Sequence, residues 1–404
     1  MQVKYRLKMS GNLNHNGLIL ISGVDSPGIT EKLFSILEPF QIEIIDFEQV
    51  VIRDRLLLTV LIKNDPAHEA AIEEDLIMAF KDTQLDIAID FSIPHTTGKN
   101  EANLHLVILG QVITPSAISK ISQLLNKFKT NIERVRRTAT YPITALEFDV
   151  SASLSESQLS ELQRDLAQIS HGTGVDIAIQ KGGLIRRAKR VVLLDMDSTL
   201  IQQEVIDLLA AAVGSGDEVA AITQAAMRGE IDFRESLQRR VSTLAGASEK
   251  IIKDVADEIT LTPGARTLIR TLHKLGHKVG VVSGGFINVI EPLMQELELD
   301  FYKANELEIS QGKLTGKTIG QIVDSDAKAS ALREFAKIEG VALDQTIAIG
   351  DGANDLGMIE IAGLGIAFNA KPKVKAAAAA SINTPYLDSV LYLMGISHSE
   401  IAAN

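Results

Sequence analysis

Four short apolar runs in the second half of the chain, at 191–194, 279–282, 346–349 and 364–368, show no alternation of polar and apolar residues. A strand with one wet face alternates, so an unbroken apolar run marks a strand covered on both sides. Helical patterns separate the runs, which predicts an α/β domain with a doubly wound, mostly parallel Rossmann-like sheet. Ligands of such sheets sit at the carboxyl ends of the strands. Between 204 and about 260 several helical patterns follow one another without a strand. They predict a helical cap inserted above those strand ends.

The first half carries an internal repeat. Residues 17–91 read as strand 17–22, helix 29–40, strands 42–52 and 55–63, helix 67–81 and strand 85–91. Residues 103–180 repeat this order as strand 104–110, helix 116–127, strands 132–139 and 143–151, helix 156–169 and strand 176–180. Two βαββαβ units in tandem predict a pair of ferredoxin-like modules. Polar stretches at 94–98 and 182–183 mark the boundaries. The expected layout is a tail at 1–16, modules at 17–95 and 101–182, and the α/β domain at 187–398, which suits a chain of 404 residues.

Charge and composition narrow the partners. A net charge of −12 repels polyphosphate backbones and anionic lipid, and with 4% aromatic residues and no Trp the chain lacks stacking platforms for nucleic acid. Neither nucleic acid nor membrane is expected as a partner. Any anionic substrate must be caught locally. The absence of Cys excludes disulfides and thiol catalysis. The polar opening and the lack of any apolar run of about 18 residues make a cytoplasmic location the simplest expectation.

Chemistry concentrates where the apolar runs end. The first run leads directly into Asp195-Met196-Asp197-Ser198-Thr199. Two carboxylates at i and i+2 crowd each other and call for a hard cation such as Mg²⁺. The same run is also good helix-capping chemistry, so alone it admits both readings. The third run ends in Gly350-Asp351-Gly352-Ala353-Asn354-Asp355, a second acidic strand exit. Two such exits in one parallel sheet can converge on one metal, which a pair of unrelated caps explains poorly. The second run ends in Ser283-Gly284-Gly285, offering a hydroxyl and bare N–H groups to an anion, though such loops are commonplace. Lys328 lies at a predicted helix start; a lone Lys there ordinarily reads as a surface residue. His273 and His277 have i, i+4 spacing, but Gly276 between them signals a helix end rather than a metal pair, and Lys371-Pro372-Lys373 reads as a solvated helix start.

In order and at predicted strand ends, Asp195-x-Asp197-Ser198-Thr199, Ser283, Lys328 and Gly350-Asp351-Gly352-Ala353-Asn354-Asp355 resemble the four motifs of the haloacid dehalogenase-like hydrolases. Within that superfamily the region 187–395 is similar to the phosphoserine phosphatases. The likeness rests on Glu204 and on the cap pattern Thr223-x-x-Ala226-Met227-x-Gly229-x-x-x-Phe233-x-x-Ser236-Leu237-x-x-Arg240-Val241. The resemblance implies hydrolysis of O-phospho-L-serine with Asp195 as nucleophile and Asp197 as general acid and then base. It implies Mg²⁺ held by Asp195, the Asp197 carbonyl and Asp351. Ser283, Gly284 and Lys328 would clamp the phosphoryl oxygens, with Asn354 touching the phosphate and Asp355 orienting Lys328. Glu204 would meet the substrate ammonium and Arg240 its carboxylate, while Met227 and Phe233 close over it.

The N-terminal repeats resemble ACT domains, modules that bind amino acids. The first carries the turn Gly23-Val24-Asp25-Ser26-Pro27-Gly28; the second keeps Gly110 but reads Gln111-Val112-Ile113-Thr114-Pro115, without the Asp and the following Gly. The resemblance implies L-serine as an effector near Gly23, Asp25, Pro27 and Gly28, and assembly as a homodimer or higher homo-oligomer. A purely structural or dimerising pair of modules stays open beside the sensor reading. So do a phosphotransferase acting on another hydroxyl and a serine-sensing regulatory protein with an idle catalytic fold.

Overall fold

The computed structural model describes residues 15–93 and 101–402, so most of the expected tail and the connection at 94–98 lie outside the described residues. The chain divides into two compact units, Met1–Asn100 and Glu101–Asn404. Among the described residues no helix is long and apolar enough to cross a membrane.

In the first unit the strands are β1 (His15–Val24), β2 (Glu43–Ile52), β3 (Arg55–Asn64) and β4 (Leu85–Ile93), in the order β2-β3-β1-β4. All neighbours are antiparallel. Alternation along β3 buries Leu56, Leu58, Val60 and Ile62 against Leu33 and Leu37 of one helix (Ile29–Leu37) and Ile72 and Leu76 of another (Glu69–Phe80). Gly28 opens the first of these helices at φ +94°, a conformation that a side chain rarely adopts. At Gly23 a Cβ would stand 2.2 Å from the Gln84 carbonyl oxygen, so this turn has no room for one.

In the second unit β5 (Leu104–Gly110), β6 (Asn131–Ala139), β7 (Thr144–Ser151) and β8 (Asp176–Lys181) repeat the same topology, in the order β8-β5-β7-β6. The α/β sheet follows with β9 (Val191–Leu194), β10 (Lys278–Phe286), β11 (Phe301–Ser310), β12 (Lys313–Ile319), β13 (Thr346–Gly350), β14 (Leu364–Phe368) and β15 (Ala380–Ile382), in the order β12-β11-β10-β9-β13-β14-β15. From β11 to β15 neighbours run parallel, with β9 and β13 central; only the β11–β12 hairpin is antiparallel. That hairpin escapes the apolar-run criterion because β11 mixes polar and apolar residues and is half-buried.

The two sheets of this unit are one. Ala380 of β15 pairs with Ala178 of β8, giving eleven continuous strands. Val107, Leu109, Ala145 and Ala178 of the module join the core that holds Val192, Leu194, Ile347 and Ile366. Four helices, Val205–Val213, Gly216–Met227, Phe233–Ser242 and Lys250–Glu258, form the cap. Its two connections to the sheet lie side by side: Gln202 N–H donates to the Thr260 carbonyl at 3.0 Å and Thr262 N–H to the Leu200 carbonyl at 2.9 Å.

Candidate active site

Strand β9 is fully buried and delivers Asp195 to its carboxyl end, where the Asp195 N–H extends the pairing to the Ile349 carbonyl at 2.8 Å. The chain then leaves the sheet through a tight turn over Met196–Leu200, with Ser198 at φ +57°. Met196 N–H donates to Asp195 Oδ1 at 2.7 Å. The helix Ser325–Ile338 starts at Asp324, whose carboxylate accepts from Ala327 N–H at 3.0 Å. One residue later this helix sends Lys328 into the interior, fully buried, with Nζ 2.6 Å from Asp195 Oδ1 and 2.6 Å from Asp355 Oδ1.

Asp355 is occupied on both oxygens, for its Oδ2 accepts from the N–H groups of Asp351 (3.1 Å) and Gly352 (2.9 Å). Gly350 makes this turn possible: a Cβ there would lie 2.4 Å from the Asp355 carboxyl carbon. The charges act on one another accordingly. Burial and then the neighbouring Asp355 push the Asp195 carboxyl well above its usual range, against the pull of Lys328. Burial and then Glu204 do the same to Asp197. Burial, Asp355 and Glu204 raise Asp351 to about 7. Burial alone would lower Lys328, but Asp195 and Asp355 outweigh it and hold the ammonium charged.

Oxygens of Asp195, Asp351 and Asp355 lie within 4.8 Å of one another. With Asp355 satisfied and both Asp195 bonds falling on Oδ1, the groups left for another partner are Asp195 Oδ2 and the Asp351 carboxylate, which takes only a long 3.4 Å contact from the Thr199 hydroxyl. Asp197 Oδ1 is buried without a hydrogen-bond partner. An all-oxygen set with surplus negative charge fits a hard divalent cation.

Above the carboxylates lies a cavity of about 180 Å³. Asp195, Asp197 and Asp351 form its floor, the cap contributes Glu204, Phe233 and Arg240, and Gly284, Asn354 and Lys371 complete the wall. Ser198 donates its hydroxyl to Glu204 at 2.8 Å. Arg240 is pinned by Nε to the Ser236 carbonyl at 3.4 Å; burial lowers its pKa, while Glu204, Asp207 and Asp197 oppose that shift. Phe233 reaches to 3.3 Å from where a Gly284 Cβ would stand, so a side chain there would press on the ring. Ser283 is fully buried and its Oγ accepts from Gly285 N–H at 2.8 Å.

Met227 stands apart from this group: it ends its helix 65% exposed and does not form part of the cavity wall. In the first module Gly23 lies near the end of β1 and Asp25, Pro27 and Gly28 share the turn between β1 and the first helix, where Asp25 N–H donates to the Asp54 carbonyl at 2.8 Å. Gly110 ends β5 against Val175. His273 Nε2 meets Asp300 at 3.1 Å, and Gly276 closes that helix at φ +75° ahead of a buried His277.

Two further residues belong to the site: Asn305, which lies in the stretch Ala304-Asn305-x-Leu307-Glu308-Ile309 that also resembles the phosphoserine phosphatases, and Lys371, which the sequence reads as a solvated helix start but which lines the cavity. Asn305 is buried, donates to the Gly284 carbonyl at 2.7 Å and accepts from Val323 N–H at 2.8 Å, and so binds the backbone of the Ser283-Gly284 loop to the approach of the Lys328 helix. Lys371 begins the helix Pro372–Ala377, and its N–H points to the Asp351 carbonyl at 3.3 Å. Its signal is position: it follows β14, the neighbour of β13, at the carboxyl end of the sheet.

Comparison with known proteins agrees with this geometry. Residues 192–360 match the haloacid dehalogenase-like hydrolases, and residues 16–92 and 103–180 each match an ACT domain. The chain is 48% identical over 388 residues to phosphoserine phosphatase SerB2 of Mycobacterium tuberculosis, covering 96% of this chain and 94% of that protein. It is 47% identical over 390 residues to the phosphoserine phosphatase of Streptomyces coelicolor, covering 96% and 93%. A solved haloacid dehalogenase family hydrolase from Salmonella enterica serovar Typhi superposes with a TM-score of 0.63 at 30% identity, over 72% of this chain and 98% of that one. The chain belongs to the phosphoserine phosphatases, haloacid dehalogenase-like hydrolases that in this case follow two ACT domains.

Proposed function

We propose that this phosphatase hydrolyses O-phospho-L-serine to L-serine and phosphate through an aspartyl phosphate on Asp195, with Mg²⁺ as its metal. The observation that carries the reading is the buried Lys328 bridge: it fixes Asp195 Oδ1 and leaves Oδ2 for the attack on phosphorus. As the Asp195 O–P bond forms, the P–O bond to serine breaks and Asp197 protonates the leaving oxygen. A pKa raised by burial and by Glu204 favours the protonated Asp197 that this step needs. Water then attacks the aspartyl phosphate, Asp197 takes back a proton, and phosphate departs with Asp195 regenerated.

Asp195, the Asp197 carbonyl and Asp351 would hold the Mg²⁺, which when bound neutralises charge on the transferring group. Lys328, the Ser283 hydroxyl, the Gly284 N–H and Asn354 bind the phosphoryl oxygens, and Asp355 orients Lys328. Glu204 and Arg240 supply the two charges that a zwitterionic amino acid requires, the guanidinium able to bind bidentately. Phe233 covers the substrate and excludes water, and Met227 joins it when the cap closes. The first ACT turn, at Gly23, Asp25, Pro27 and Gly28, binds L-serine, with Gly110 marking the corresponding place in the second module. The chain works as a homodimer or higher homo-oligomer; exposed Ile44, Phe47 and Val51 on the edge strand β2 support self-association.

Phosphate release from phosphoserine, phosphothreonine and phosphoglycolate, with and without Mg²⁺, tests the reading. Mg²⁺-dependent turnover selective for phosphoserine supports it, and equal turnover of phosphoglycolate overturns the substrate assignment.

A further inference from the structure

The junction between the second ACT module and the α/β sheet is more than a sheet edge. Asp176, the first residue of β8, is 4% exposed and directs its carboxylate out of the module. Its Oδ2 accepts from Asn383 N–H at 2.6 Å and Thr384 N–H at 3.2 Å, and its Oδ1 from the Asn383 side-chain amide at 2.6 Å. The same Asn383 side chain accepts, on Oδ1, from Lys375 Nζ. Lys375 belongs to the short helix Pro372–Ala377, whose first turn is set by Lys371.

The segment leading into that helix is held at both ends. Asn369, at φ +46°, donates its N–H to the Ile382 carbonyl at 2.8 Å, and Lys371 donates its N–H to the Asp351 carbonyl at 3.3 Å. On the module side, Val175 precedes Asp176 and packs on Gly110: a Cβ on that glycine would sit 3.2 Å from Val175 Cγ1. Packing of Val175 on Gly110 at the end of β5 is thus followed by hydrogen bonds from Asp176 through Asn383 to Lys375, whose N–H donates to the carbonyl of Lys371 in the cavity wall at 3.1 Å.

We propose that Asp176 is a positioning residue for catalysis, which sets the Lys371 wall of the cavity from within the second ACT module. Resting on the phosphoserine reading, this assigns the module a direct mechanical hold on substrate binding. Three charge-assisted bonds on one buried carboxylate make the junction stiff, so a change at the Gly110 turn is transmitted to Lys371 rather than absorbed. Lys371 is a cation facing an anionic substrate, so its displacement weakens binding more than it slows the chemical step.

The test is a double-mutant cycle in the full chain, with Asp176→Asn, Lys371→Ala and the pair. Asp176→Asn is expected to raise KM for phosphoserine by about 3- to 10-fold with kcat within about two-fold, and to add less than about two-fold when Lys371 is already Ala. Lys375→Met, which cuts the link to Asn383 and leaves the Asp176 bonds in place, is expected to show the same KM-selective loss and the same non-additivity, and decides the matter if Asp176→Asn does not fold. A general loss of stability with KM unchanged, or effects that multiply independently, overturns the proposal. The cycle is run in parallel on p-nitrophenyl phosphate, so failure to hydrolyse phosphoserine overturns the substrate reading alone while the cycle still decides the coupling.

Discussion

Lys328 Nζ and Asp195 Oδ1 lie 2.6 Å apart, with the lysine closed to water and the aspartate nearly so. A second buried carboxylate, Asp355, holds the same ammonium at 2.6 Å. Taking one partner from such a group leaves the others charged and unpaired, and breaking a buried pair in this way costs about 3–5 kcal/mol. Lys328→Met is therefore expected to lower unfolding free energy by that amount in urea titrations, and to remove most turnover. A loss below about 1 kcal/mol would mean that the carboxylates protonate at little cost once the lysine is gone.

Gly350→Ala tests the turn that shapes the second acidic exit. Its Cβ would fall 2.4 Å from the carboxyl of Asp355, which Lys328 and two backbone N–H groups already fix. Overpacking of this kind costs about 1–3 kcal/mol. The variant is expected to melt lower and to lose activity together with the orientation of Lys328.

Arg240 is the cation assigned to the substrate carboxylate. A hydrogen bond to a charged group contributes about 1.5–3 kcal/mol, so Arg240→Ala should raise KM for phosphoserine by about 10- to 150-fold. Phosphoethanolamine, which has no carboxylate, should be nearly unaffected. Steady-state kinetics on the two esters reads the difference.

Acid stability should depend on the junction beneath the second module. Burial pushes the Glu147 carboxyl up, but His105, with Nδ1 3.3 Å away, and the cations Arg186 and Arg136 more than reverse it, holding Glu147 at about 2. A folded-state pKa below the unfolded value contributes stability that is complete above about pH 4.5 and lost as pH falls toward 2. The contribution is about 3 kcal/mol by the linkage relation. Glu147→Gln should lower stability at pH 7 and flatten its decline between those two pH values, as measured by chemical denaturation across pH.

Much of this molecule is legible in its sequence, and the illegible parts share a cause. Strands β9 and β14 are found to the residue because both faces are buried and polar or glycine residues stop them at once. The acidic exits are visible for the same reason, as charges abutting apolar runs. Lys328 is different: alone it reads as a surface lysine, and its burial depends on carboxylates brought from two other strands. Asn305 and Lys371 likewise acquire their places from neighbours distant in sequence. The fusion of the two sheets rests on one pair, Ala178 with Ala380, and two alanines carry no local signal. Met227 lies on the cap but outside the cavity wall, because a helical pattern gives the face of a residue and not the position of the cap.

In the proposed reaction Asp195 carries the phosphoryl group. Rapid quenching of the Mg²⁺-loaded enzyme with phosphate-labelled phosphoserine, borohydride reduction and peptide mass spectrometry tests it directly. Reduction of Asp195 to homoserine is expected in the wild type and no labelled protein in Asp195→Asn, which should keep its fold and lose turnover. Label on Ser283, or unimpaired hydrolysis by Asp195→Asn, would contradict it.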